Sequence, residues 1–112
     1  LVLSRGLGDV YKRQILSMTK TASQELGKYN INVNSICPSP TYTDIVKKLV
    51  AKRAKEQKKT EKEIMDYYMR DVPLGRFNDP DDIASMVIFL SSSGARNITG
   101  QSFNVDGGLI PS

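Results

Sequence analysis

A side chain does chemistry when it can move a proton or share an electron pair and has a neighbour that helps it, and few residues of this chain meet both conditions. There is no histidine and one cysteine, Cys37. A single thiol cannot close an intramolecular disulfide, and without histidine the usual zinc spacings are excluded. A nucleophilic thiolate also needs a base or a cation beside it. Cys37 instead ends an apolar run, Ile36-Cys37, with no such neighbour, and it reads as a small core residue in a reducing, cytoplasmic setting. Neither a metal site nor a set of catalytic side chains emerges from residue types alone.

The other stretch with chemical character is basic. Seven of the thirteen residues from Lys47 to Lys59 are lysine or arginine, but Glu56, Glu61, Glu63 and Asp66 follow within helical reach, as on a solvated helix face. The chain carries a formal +4, of which Arg5, Lys12 and Arg13 against Asp9 place +2 in residues 1–14. A nucleic-acid footprint would concentrate its charge on one face and interleave it with groups that stack on bases, which this run does not. It also lacks the strong apolar face of a membrane-surface helix. No apolar run approaches the ~20 residues that cross a bilayer, and no basic segment with an apolar core opens the chain as in a secretory signal.

The elements that would position any site follow from periodicity. Ile15, Met18, Ala22 and Leu26 recur at three and four, which predicts one apolar stripe on a helix ending near Gly27-Lys28. Ile31 and Val33 alternate with Asn32 and Asn34, so residues 31–37 read as a strand stopped by Pro38. Pro38-Ser39-Pro40-Thr41-Tyr42-Thr43 is a loop, and residues 44–70 read as two helices or one interrupted helix. Asp79 suits a helix cap, Pro80 the first helical position, and Asp81 and Asp82 the positive helix end; Ile83, Met86, Val87 and Leu90 then form a stripe that Ser91-Ser92-Ser93-Gly94 ends. Thr99-Gly100 turns into a strand over 101–105, which Asp106-Gly107-Gly108 breaks.

Strands separated by helices lie parallel in one sheet. With 112 residues there is room for one domain at most, and two parallel strands cannot stand alone. The predicted fold class is therefore α/β, the carboxy-terminal part of a doubly wound, Rossmann-like parallel sheet that is incomplete. Residues 1–14 show neither stripe nor alternation. The string ending Val10-Tyr11-Lys12-Arg13-Gln14 resembles the translation of a library adapter, so residues 1–14 are expected to be a non-native segment and 15–112 the domain portion.

In order along the chain stand Ile15-Leu16-Ser17-Met18-Thr19-Lys20 through Glu25-Leu26, Ile31-Asn32-Val33-Asn34-Ser35-Ile36-Cys37-Pro38, Pro73-Leu74-Gly75-Arg76, Asp79-Pro80-Asp81-Asp82-Ile83-Ala84, Phe89-Leu90-Ser91-Ser92, Ile98-Thr99-Gly100-Gln101 and Val105-Asp106-Gly107-Gly108. Together they resemble the short-chain dehydrogenase/reductase family downstream of its active-site helix. The resemblance implies NAD or NADP bound at the carboxyl ends of the strands. It also implies that Pro38, Ser39, Thr41 and Thr43 occupy the family's Pro-Gly-x-Val/Ile-x-Thr loop around the nicotinamide. Pro38 and Thr43 match that pattern; Ser39 replaces the glycine, which permits backbone angles a serine resists, and Thr41 replaces the β-branched apolar residue. The resemblance makes Asp106-Gly107-Gly108 the turn after the last strand and Asn34 a structural residue whose side chain satisfies backbone groups.

Family chemistry uses a tyrosine, a lysine four residues later and a serine. A free phenol near pKa 10 is a poor proton carrier at neutral pH without the neighbouring cation. By register the lysine falls at Lys12 and the tyrosine at Gly8, while Tyr11 is adjacent to Lys12, so on a helix the two point in different directions. No catalytic residue is therefore assigned, and the expectation is an inactive fragment of an oxidoreductase that moves a hydride between nicotinamide and a small alcohol or carbonyl substrate. The parent is expected to form a tetramer or dimer, with no nucleic-acid or membrane partner. The alternative is a non-catalytic binding or subunit-assembly module. The length of the helical insertion 44–71 suggests a lid over the substrate that Tyr42, Tyr67, Tyr68 and Met69 line or merely pack.

Overall fold

The computed structural model describes residues 7–111, so the expectation for residues 1–14 falls in part outside the described residues. Two compact units share the chain: residues up to Cys37 with Ser85–Phe103, and Pro38–Ala84 with the residues from Asn104 onward.

The first unit opens with helix α1, Leu7–Leu26, which begins eight residues before the start that the stripe at Ile15 predicts. A 3-10 turn, Gly27–Tyr29, follows, and Asn30 stops it in the left-handed region at φ 59°, its N–H bonded to the Gly27 carbonyl. Asparagine tolerates that region better than most residues. The buried side of α1 is only in part the predicted one, sharing Ala22 and Leu26 with it. Ile15 and Met18 are 51% and 70% exposed, whereas Thr19 and Ser23 are buried beside half-buried Leu16, Ala22 and Leu26. Burying the two hydroxyls costs little because each donates to a carbonyl of its own helix, Thr19 Oγ1 to Ile15 O at 2.8 Å and Ser23 Oγ to Lys20 O at 2.7 Å.

Two short strands follow, β1 at Ser35–Pro38 and β2 at Ser102–Val105, paired as a two-stranded sheet. Gly100 N donates to Val33 O and Ser35 N to Gln101 O, so position rises together along both chains and the pair is parallel. β1 is shorter than the predicted strand over 31–37 because its approach is held by side chains. Asn32 Nδ2 donates to Arg96 O at 2.9 Å, Val33 N to Thr99 Oγ1 at 2.9 Å, and Asn34 Nδ2 to Ile98 O at 2.9 Å. Asn34 Oδ1 accepts from Gln101 N, so both ends of this amide serve backbone groups, as its family position implies. Pro38 closes β1 from within instead of lying beyond it, a place where proline's missing N–H is tolerated.

In the second unit the 44–70 segment is two helices, α2 at Asp44–Gln57 and α3 at Glu61–Met69. Thr43 caps α2, and Thr60 caps α3 by accepting from Glu63 N at 3.2 Å; Glu61 and Glu63 sit in the first turn of α3, where the helix end is positive. The hairpin has a core of its own: Val50, Ala54 and Ile64 are buried, with Val46, Met65 and Tyr68 packed on them. Its basic surface carries exposed pairs of small energetic weight, Lys47 with Asp44 at 3.8 Å and Lys52 with Glu56 at 3.9 Å, as a solvated face should.

Helix α4, Pro80–Leu90, starts as its sequence predicts. Asp79 Oδ1 accepts from Asp81 N, and Asp82 Oδ2 reaches back to accept from Asp79 N, a reciprocal cap with Pro80 at the first helical position. Although α4 is apolar, none of its residues is buried; Val87, Ile88 and Phe89 are 49%, 70% and 47% exposed. A parallel sheet with both faces covered would leave no such helix open. Among the described residues no helix is long and apolar enough to cross a membrane.

Candidate functional site

The loop from Pro38 to Thr43 leaves the carboxyl end of β1 inside the second unit, and its shape is set by three anchors. Ser39 N donates to Val105 O at 3.1 Å, which ties the start of the loop to the end of β2. Asn78 holds its middle: Asn78 N donates to Pro40 O at 3.1 Å and Tyr42 N to Asn78 O at 2.8 Å, so Thr41 and Asn78 form a parallel bridge. Thr43 holds its end, where Oγ1 accepts from Val46 N at 3.5 Å and the carbonyl accepts from Lys47 N at 2.9 Å.

Within this frame the four predicted residues take different parts. Pro38 is half-buried at the strand end. Ser39 is 3% exposed, and its Oγ is buried with no hydrogen-bond partner among the described residues. Its φ is not positive, so this backbone does not require the conformational freedom of the family's glycine. Thr41 Oγ1 donates to Ser39 O at 3.1 Å, while the Thr41 N–H makes no hydrogen bond among the described residues. Thr43 is exposed; its Oγ1 accepts from the helix and keeps its own hydrogen free to donate.

Of two buried polar residues that the sequence reading left out of the site, Asn78 supports this loop and Asp106 shapes the turn beyond β2. Asn78, 7% exposed, adds a side-chain bond from Nδ2 to Val105 O, the same carbonyl that receives Ser39 N. The only signal for it was a polar residue before the Asp79 cap, which reads as part of a turn. Asp106 is buried and accepts from Gly108 N and Ile110 N, both at 2.9 Å, which curls the chain after β2 into the predicted turn. Gly107 and Gly108 lie in that turn at φ 63° and 90°, and Gly107 O accepts from Leu74 N. A β-carbon on Gly107 would come within 2.7 Å of Val72, so the glycine is required by close approach as well as by φ.

The four residues expected to line or pack a lid divide. Tyr68 and Met69 pack, Met69 being 4% exposed. Tyr42 lies with its ring centroid 5.7 Å from that of Phe77, and Tyr67 stays 61% exposed. Cys37 is a buried free thiol. Tyr11 and Lys12 are successive residues of α1 and project about 100° apart around the helix, so they are not a pair one turn apart. Among the described residues no group of three or more potential metal ligands forms.

The sequence pattern of a family described as enoyl-(acyl carrier protein) reductase matches residues 5–110. The chain belongs to the short-chain dehydrogenase/reductase family. Among relatives in this family, it is 38% identical over 99 residues to the L-rhamnose 1-dehydrogenase (NAD(P)(+)) of Azotobacter vinelandii, covering 88% of this chain and 35% of that one. To the 3-oxoacyl-[acyl-carrier-protein] reductase of Thermotoga maritima it is 35% identical over 99 residues, covering 88% and 36%. The family fold is equally plain in solved structures. L-sorbose reductase from Gluconobacter frateurii, complexed with NADPH and L-sorbose, superposes with a TM-score of 0.88 at 27% identity, covering 99% of this chain and 43% of that one. The chain thus spans well under half the length of the short-chain dehydrogenases it matches. Its α/β arrangement with a small parallel sheet is part of their Rossmann fold.

Proposed function

We propose that loop 38–43 holds the nicotinamide end of NAD or NADP, and that the protein carrying this segment transfers a hydride between that cofactor and a small alcohol or carbonyl substrate. The observation that carries the reading is the loop's donor set. The Thr41 N–H is unpaired among the described residues and the Thr43 hydroxyl keeps a free hydrogen, while the Ser39 and Tyr42 N–H groups are bonded to Val105 O and Asn78 O and the unpartnered Ser39 hydroxyl is buried. Two such donors suit the carbonyl oxygen of a carboxamide, and Pro38 and Ser39 shape the approach through backbone fixed on Val105. The nicotinamide, when bound, supplies the hydride acceptor or donor; the loop binds and orients it. Titration of NADH and NADPH into the full-length protein tests this, with Thr43→Val expected to weaken binding roughly tenfold through loss of one hydrogen bond. Equal affinities for the two proteins would remove Thr43 from the site.

The segment itself is read as inactive, because Gly8 stands one turn before Lys12 where a tyrosine is needed, and residues 1–14 are read as non-native. Sequencing the gene across the codons before Ile15 decides this. A tyrosine four residues before a lysine supports the oxidoreductase, whereas a native Leu1–Gln14 makes assembly the leading role.

The assembly reading has an observation of its own, the exposed apolar residues of α4 and the exposed Ile15 and Met18 of α1. Exposed apolar surface of this kind suits contact with further protein, whether the rest of the sheet or other subunits, which favours a homo-oligomer.

A further inference from the structure

Asn78 has no counterpart in the motifs that carry the family resemblance, yet it is where the loop's hydrogen bonds converge. Its N–H donates to Pro40 O, its carbonyl accepts from Tyr42 N, and its Nδ2 donates to Val105 O. The two backbone bonds could be made by any residue except proline, which lacks the N–H. The third depends on this side chain: a short, planar amide with a donor, buried to 7% exposure. It fixes where the bridge partner of Thr41 sits relative to the carbonyl that also anchors Ser39, so both ends of the Ser39–Tyr42 segment refer to one atom, Val105 O. The neighbouring residue adds to the same effect, since Phe77 packs its ring against Tyr42.

We propose that Asn78 is a positioning residue for the nicotinamide loop: by donating to Val105 O it sets the direction of the Thr41 N–H without touching the cofactor. The proposal rests on the reading of loop 38–43 given above. Removing the side chain leaves the backbone bridge but frees it to shift against β2. A misaimed Thr41 N–H then weakens cofactor binding and leaves the substrate side alone.

The test uses the full-length protein, with dissociation constants for NADH and NADPH followed by fluorescence, the KM of each substrate, and thermal melts. For Asn78→Ala, the cofactor dissociation constant and KM are expected to rise on the order of tenfold, the scale of one lost hydrogen bond, while the KM for the alcohol or carbonyl substrate stays put. Asn78→Asp, equal in volume but without a donor at that atom, carries the same expectation and serves if the alanine variant does not fold. A melt that drops with cofactor affinity unmoved overturns the proposal and leaves Asn78 a purely structural residue. So does a loss of folding in both variants. If the unmodified protein binds neither NADH nor NADPH, the loop reading itself fails, an outcome the unmodified protein alone reports.

Discussion

A β-carbon built on Gly100 would lie 2.7 Å from the Oγ of Ser23, and Gly100 itself sits at φ 71°. The turn before β2 therefore meets α1 at a point where neither residue can grow.

Gly100→Ala should destabilise the fold by two routes. The left-handed backbone costs a residue with a β-carbon about 1–2 kcal/mol. The Ser23 hydroxyl must also leave its bond to Lys20 O, which adds about 0.5–1.5 kcal/mol. Urea melts check the sum. In the double variant S23A/G100A the steric part should vanish and the backbone part remain, giving a favourable coupling in a double-mutant cycle.

Ser39→Ala should raise stability. The hydroxyl is buried without a partner among the described residues, and removing an unmet polar group of this kind gains up to about 1–3 kcal/mol. Comparing Ser39→Ala with Ser39→Gly separates the hydroxyl from the backbone. Because φ at position 39 is not positive, glycine should be the less stable of the two.

Asp79→Ala should lower stability by about 1 kcal/mol, the usual cost of losing an N-cap side chain. Asp79 Oδ1 accepts from Asp81 N at 2.9 Å, and no other group replaces it at that amide among the described residues. Asp79→Ser should restore most of the loss. Equal melting temperatures for all three proteins would mean that α4 does not depend on its cap.

Asp106→Ala should release the turn after β2. The two bonds to Gly108 N and Ile110 N each involve a charged acceptor, a class worth about 1.5–3 kcal/mol apiece. Hydrogen exchange at those two amides should accelerate, and at Leu74 N, which bonds to Gly107 O, to a lesser degree. Slow exchange at Gly108 in the variant would show that the glycine turn holds itself.

What the chain reveals without its fold is what is decided within about four residues. The cap of α4 is of this kind: Asp79, Pro80 and Asp82 satisfy the helix start among themselves, so type and spacing suffice. The Asp106 turn is another, with a carboxylate and two glycines closing on amides two and four residues on. The loop 38–43 could be placed because prolines exclude helix and the motif order fixes its register.

Tertiary structure decided which faces are buried and which residues hold the loop. Of the apolar stripe Ile15, Met18, Ala22 and Leu26 only the last two are half-buried, and full burial went to Thr19 and Ser23, whose hydroxyls are satisfied within the helix; at Ser23 the close approach of Gly100 also demands a small side chain. β1 shortened because Asn32, Val33 and Asn34 are bonded to residues 63 to 66 positions away, a choice no local window contains. Asn78 came to hold the loop through a partner 27 residues distant. Local hydrogen bonds and backbone angles are written in neighbouring residue types; burial and long-range anchoring depend on which distant surfaces arrive, and only the folded chain brings those surfaces together.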